Sequence, residues 1–423
     1  MAKKEPSRWS VLRNRNYTLL LTGRGISDFG DYFGNLSLSW LVYLITHSAY
    51  SLAITWIVFM IPRAAIRLTC GVYVDRWNRR LIMIGTETTR AAIFAIMTVA
   101  VFTRMTPLFL VYSVAASVGG LGGLFDISSD ALVPTIVEEA ELLRANSLFN
   151  SFFQSNSIVG PALAGLTIAA FGTSVPFLLD SISFAVLVFA VLLIKLPRAV
   201  FTAKRQSWAT QFREGFRYFK SRTELIMISV LTSGFNFGSG AFWYVYTLVF
   251  ATFLGAGSLG YGLFGTASSL GTLMSVLYLS RRGRVKERRL AVVVSLFFAA
   301  SGIFLASFAH TLPEALIPIF VFGVAIPFFD IVGTTYYQET VPSEMLGRAL
   351  GFRRFIDYIS APISIGFGAV MVSYVGIAHA ILFSGIVMFA CAIIAALSRS
   401  LKKLDRMPTA EGVERDAVRS GVP

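Results

Sequence analysis

Arg24, Asp28, Asp31 and Asn35 interrupt an apolar run that begins near Tyr17. At 100° per residue these four positions fall within about 60° of one another, so a helix gathers them into one polar stripe. A charge at the bilayer centre costs at least ~2.5 kcal/mol, so such a stripe must face protein or water and marks a path for ions or substrate. Asp31 stands ~21 Å into the run, near mid-depth. Asp28 lies one turn closer to the start, with Arg24 at i−4 as its expected counter-ion. Asp31 is farther from that cation and is the expected proton-exchanging carboxyl, with Asp28 assisting. Two further readings stay open: a structural ion-pair network, and a carboxylate that binds substrate without moving protons.

Other polar groups recur at helical spacing. Asn146, Asn150 and Gln154 lie four apart, to line a path or to join helices. Asn236, Trp243, Tyr244 and Tyr246 stand among phenylalanines, a composition suited to bulky amphipathic ligands. Arg353, Arg354 and Asp357 form a late cluster in which Arg353 and Asp357 are i,i+4 partners. Substrate or proton binding and an internal salt bridge both fit it. Glu87 is expected to pair with Arg63 or Arg67 as a structural contact. The two cysteines and three histidines are scattered, with no metal spacing and no nucleophile–base–acid set. Neither a metal nor a cofactor is expected, and an enzyme is not.

The elements that must position these residues are membrane helices. The chain has 423 residues, 55% hydrophobic and only 14% charged, too few charges to cover a soluble surface of that size. Apolar runs long enough to cross a ~30 Å hydrocarbon core recur at about 17–45, 50–70, 81–103, 107–131, 145–171, 174–195, 224–253, 257–279, 290–309, 313–336, 346–372 and 376–398. Connectors after odd-numbered runs hold almost no lysine or arginine, with Arg104 the exception. Most connectors after even-numbered runs, and both termini, are basic. The positive-inside rule then puts both termini in the cytoplasm of a multi-pass protein of the cell membrane. The net charge of +14 is spread over these loops, so nucleic acid is not the expected partner. The expected partners are the bilayer, protons and a small molecule, and the expected state is a monomer.

The runs divide into an amino-terminal set (1–195) and a carboxy-terminal set (224–400). Segment 196–223 lies between them, with Trp208, Phe212, Phe216 and Phe219 at helical spacing. It reads as an amphipathic helix on the inner leaflet or as a solvated helix against the bundle. A polar tail (401–423) is expected to be disordered. The sets repeat four landmarks in order: Phe125–Ile127 and Phe329–Ile331, Val133–Pro134 and Val341–Pro342, Arg144–Ala145 and Arg348–Ala349, then Pro161–Gly165 and Pro362–Gly366. A duplicated six-helix unit suits two bundles that rock about a path.

Residues 71–80 read GVYVDRWNRR. With Gly71, Asp75, Arg76, Arg79 and Arg80 in place, this stretch resembles the signature between helices 2 and 3 of the major facilitator superfamily. Asn78 stands where that family prefers glycine, and it is expected to take the left-handed conformation there. Gly160, Pro161 and Gly165 resemble the family's helix-5 antiporter element. Residues 13–34, 131–148 and 338–351 look like the branch that holds macrolide efflux proteins and the enterobactin exporter. The resemblance implies an all-helical fold of twelve transmembrane helices in two pseudo-symmetric six-helix bundles. It further implies a cytoplasmic gate clasp, with Asp75 at the start of helix 11 and Arg79 or Arg80 on Asp126 or Asp130. The expected function is proton-coupled export of a bulky amphipathic molecule such as a macrolide-like drug, by alternating access. A siderophore or lipid-like metabolite exporter is the first alternative, and a non-transporting membrane scaffold is the other.

Overall fold

A computed structural model describes residues 10–70, 77–138, 141–195, 217, 222–282, 285, 287–341 and 343–405. Twelve long helical rods account for most of them: α1 (Arg15–Thr46), α2 (Ala49–Thr69), α3 (Arg79–Phe102), α4 (Leu108–Ile136), α5 (Leu142–Phe171), α6 (Ser174–Leu193), α7 (Thr223–Phe253), α8 (Gly257–Arg282), α9 (Arg288–Ala306), α10 (Leu312–Thr340), α11 (Ser343–Val375) and α12 (Ile377–Leu397). Within α7, Phe242–Tyr246 forms a π-helical turn. Among the described residues, nine of these rods are long and apolar enough to cross a bilayer. The polar stripes of α1 and α5 dilute their hydropathy below that level. In α11 the apolar part is Ile359–Val375.

Local signals start the helices where the connectors end. Asn14 caps α1 by accepting from the Tyr17 amide at 3.2 Å, and its Nδ2 donates to the Ile136 carbonyl at the end of α4. Asn78 caps α3 by accepting from the amides of Arg80 and Leu81 at 3.1 and 3.3 Å. Its φ of −70° and ψ of 102° are extended, so the expected left-handed conformation is not adopted. A helix begins directly behind Asn78, and a capping oxygen there satisfies amides that a left-handed residue would leave open.

The chain forms two compact units, residues 1–202 with 255–266, and residues 203–254 with 267–423. In the first, α1 pairs with α6, α3 with α6 and α2 with α4. Phe94, Phe177 and Phe184 stack between α3 and α6. In the second, α9 pairs with α10 and α12, and Phe235 of α7 stacks on Phe322 and Phe329 of α10. One device recurs in both. Gly119 and Gly323 each stand six residues before the repeated Phe-Asp-Ile. A Cβ on either would lie 2.0 Å from a backbone carbonyl oxygen of the facing helix, Phe59 in α2 or Ser268 in α8. Both halves thus use a glycine to bring two membrane helices to backbone contact.

Gly71, Asp75 and Arg76, the aromatic residues from Trp208 to Phe219, and the tail from Met407 onward lie outside the described residues, as do the side chains of Arg354 and Asp357.

Candidate functional site

The first unit holds a cavity of about 300 Å³ lined by Arg24, Ser27, Asp28 and Asp31 of α1, Arg63 and Arg67 of α2, Arg90 of α3, and Gly122, Phe125, Asp126 and Asp130 of α4, closed by Phe153 of α5. Four arginines and four aspartates face one small space. This agrees with the polar stripe expected on α1, because a helix running 32 residues with charges on one side can bury them only against other helices.

The pairing differs from the one expected. Arg24 makes no hydrogen bond to Asp28: its Nη1 donates to Ser129 Oγ at 2.8 Å and to Asp130 Oδ1 at 3.1 Å. Its guanidinium sits 5.3 to 5.8 Å from the ring centroids of Phe125, Phe149 and Phe153, an aromatic collar that favours a cation. Asp28 instead accepts from Asn156 Nδ2 at 3.1 Å, and the same amide donates to the Gly25 carbonyl at 2.7 Å.

Asp31, expected to stand away from positive charge, accepts from Arg90 Nη2 at 2.6 Å. Arg90 Nη1 donates to both oxygens of Glu87 at 3.1 and 3.2 Å. Glu87 is fully buried and pairs within its own helix, so its expected partnership with Arg63 or Arg67 is replaced. Those two arginines converge on Asp126 Oδ2 at 2.7 and 3.5 Å. Spacing along a helix does not say which charge it faces, whereas the close packing of α2 against α4, and of both α1 and α3 against α6, brings charges of different helices together.

Behind Arg90 lies a group that residue spacing did not single out. Asp180 of α6 is fully buried. One oxygen accepts from Ser183 Oγ at 3.1 Å, and Oδ2 has no hydrogen-bond partner. The signal was present in sequence, since Asp180 is the lone charge in the apolar run 174–193. Asn146 and Asn150 are exposed and Gln154 bonds Ser157 at 3.2 Å, while Asn156 on another face meets α1. Asn35 is half-buried, and its carbonyl accepts from Ser39 Oγ.

The arginines after the 71–76 stretch bind helix ends. Arg79 Nη1 donates to the Ala131 carbonyl of α4 at 2.8 Å rather than to Asp126 or Asp130. Arg80 Nε donates to the Val191 carbonyl at 3.1 Å and its Nη2 to Leu192, where α6 leaves carbonyls open. The helix-5 glycines make close contacts: a Cβ at Gly160 would meet the Tyr32 ring at 2.5 Å, and one at Gly165 the Ser258 carbonyl at 2.4 Å.

In the second unit Arg353 is buried and pairs with Asp330 of α10 at 3.1 Å and with Thr334 at 3.2 Å; its expected i+4 partner Asp357 lies outside the described side chains. Trp243 packs on Phe242 and Phe322, and Asn236 and Tyr244 are half-buried on the same helix.

Chemically, these clusters can hold protons and ions and can orient polar groups of a ligand. Among the described residues no group of histidine, cysteine and carboxylate side chains is placed to hold a metal. The Major Facilitator Superfamily model matches residues 20–364 and 235–419. The chain belongs to this superfamily. It is therefore a multi-pass membrane transporter and not an enzyme. Macrolide efflux protein A of Streptococcus pyogenes is 23% identical over 380 residues, covering 88% of this chain and 93% of that protein. The putative bacilysin exporter BacE of Bacillus subtilis is 24% identical over 373 residues, covering 84% and 92%. Among solved structures, the nucleoside transporter NupG superposes with a TM-score of 0.73 at 13% identity, covering 90% of this chain and 99% of that one. A bacterial homologue of the iron transporter ferroportin gives 0.71 at 15% identity, with 90% and 99% covered. These two likenesses concern the fold.

Proposed function

We propose that this transporter exports a bulky amphipathic small molecule, such as a macrolide-like drug, in exchange for protons. The observation that carries the reading is Asp31, which lines the cavity yet is tied to the buried Arg90. Protonating Asp31 removes the charge that holds Arg90, so proton binding changes the electrostatics of the substrate space directly. In alternating access, Asp31 takes a proton from the outer side as substrate leaves. It releases that proton to the cytoplasm and so resets the cavity for the next substrate. The membrane potential adds ~2.3 kcal/mol per charge per 100 mV. Resemblance to macrolide and bacilysin exporters supports a substrate of this kind and outward direction. A bacterial plasma membrane, cytoplasmic termini and a monomer belong to the same proposal.

A second reading rests on the four arginines that line the cavity. An anionic siderophore or lipid-like metabolite could engage them once their aspartates are neutralised. A susceptibility screen with drugs and siderophores in an efflux-deficient host separates the two. The winning class is then tested in proteoliposomes for substrate-induced proton flux, and absence of flux across the panel overturns proton coupling.

A further inference from the structure

Asp180 and Arg90 present complementary idle atoms deep in the first unit. Asp180 Oδ2 and Arg90 Nε are both buried and both lack a hydrogen-bond partner. They belong to one electrostatic cluster that also contains Asp31 and Glu87. Three carboxyls thus surround a single guanidinium. Arg90 Nη1 is committed to both oxygens of Glu87 and Nη2 to Asp31, which leaves Asp180 without a hydrogen bond from the guanidinium. A fully buried carboxylate that no cation hydrogen-bonds is costly, which favours the neutral acid for Asp180 in this arrangement.

The surroundings are built to keep Asp180 there. A Cβ on Gly34 would lie 2.0 Å from Asp180 Oδ2, and a Cβ on Gly30 would lie 2.0 Å from Ser183 Oγ and 2.7 Å from Asp180 Oδ1. A side chain at Gly34 would displace the carboxyl, and one at Gly30 the serine that donates to it. The Phe184 ring lies under the guanidinium of Arg90 at 4.1 Å, so the cation can pivot while keeping its aromatic support. The charged groups facing Asp180 are Asp31 from α1 and Glu87 and Arg90 from α3, and on its own helix Ser183 is the hydrogen-bond donor.

We propose that Asp180 is the second proton-holding carboxyl of the transport cycle, alternating with Asp31 for the guanidinium of Arg90. In one state Asp31 is ionised on Arg90 and Asp180 is the neutral acid. In the other, Asp31 is the neutral acid and Arg90 has turned its Nε edge to an ionised Asp180. Passing between them moves one proton from one carboxyl to the other, so atoms and charge balance with no co-reactant. Asp31 lines the cavity and exchanges the proton with water, while Asp180 is sealed and stores it as the transporter reorients. Uptake adds one proton at Asp31 of an unloaded pair, whose two carboxylates share Arg90, and passes it inward to Asp180; release retraces the step on the other side and leaves the pair unloaded again. This rests on the proton-coupled reading above and adds a store that keeps the proton from leaking.

The experiment compares wild type with Asp180→Asn in proteoliposomes, using a transported drug from the screen. Two rates are read: accumulation driven by a pH gradient, and counterflow exchange, which needs no net proton movement. The expected result is counterflow within about twofold of wild type and driven accumulation lower by at least tenfold. Driven accumulation equal to wild type in Asp180→Asn overturns the proposal, and so does equal loss of both rates in a folded variant. Wild type that fails to accumulate substrate under a pH gradient instead refutes the proton-coupled reading itself. Should Asp180→Asn not reach the membrane, infrared difference spectra decide. The carbonyl stretch of a buried protonated carboxyl is expected in wild type and should disappear in Asp31→Asn, where Arg90 is free to turn to Asp180. An unchanged band in Asp31→Asn overturns the proposal.

Discussion

Arg90 Nη2 lies 2.6 Å from Asp31 Oδ1, an ion pair between α3 and α1 that joins the cavity surface to the buried interior. Replacing Asp31 by asparagine keeps the shape and removes the titrating charge. Substrate binding and counterflow should persist within a few-fold, while uphill accumulation under a pH gradient should disappear. Full gradient-driven transport by Asp31→Asn would remove Asp31 from the coupling role.

Arg90 has a structural burden as well. Removing a buried partner from an ion pair costs ~3–5 kcal/mol because the remaining charge is stranded. Arg90→Ala strands Asp31 and Glu87 together, so a large drop in melting temperature and in membrane abundance is expected. Arg90→Lys keeps the charge but gives up the fork that serves Asp31 and Glu87 at once, and it should fall between. Detergent-solubilised melting curves of the three proteins test this order.

Gly34 offers a test by compensation. Gly34→Ala places a methyl where Asp180 Oδ2 now lies and should lower folded yield, as overpacking by ~1–3 kcal/mol does. Adding Asp180→Ala makes room again. The double variant should recover yield, measured by fluorescence size-exclusion chromatography, and should still lack gradient-driven transport.

Asn78 separates capping from turn chemistry. As an N-cap, its change to alanine should cost ~1 kcal/mol and its change to glycine only a few tenths. Had Asn78 been left-handed, glycine would stabilise. Thermal melting of Asn78→Ala and Asn78→Gly distinguishes the two.

The twelve helices and their duplication were readable because bilayer length, loop charge and repeated landmarks act along the chain. The stripe of Arg24, Asp28 and Asp31 was readable for the same reason. Who pairs with whom was not. Arg24 passes over Asp28, one turn away, for Asp130 of α4, and Asp31 finds Arg90, 59 residues away. Helical periodicity says which side chains share a face, but the facing helix decides which charge they meet. Asp180 shows the converse, since its position as the lone charge of an apolar run is legible in sequence while spacing names no partner for it.

The π-helical turn at Phe242–Tyr246 gives α7 a property that no straight rod has. An extra residue in one turn shifts every side chain beyond it by about 100°, so a helical wheel drawn through the whole of α7 misplaces one of its ends. Asn236 and Thr247 flank that shift, and Trp243 and Tyr244 sit within it. Relaxing five residues to ordinary α geometry would swivel the aromatic wall without tilting the rod. Such a helix stores a rotation where a proline kink would store a bend.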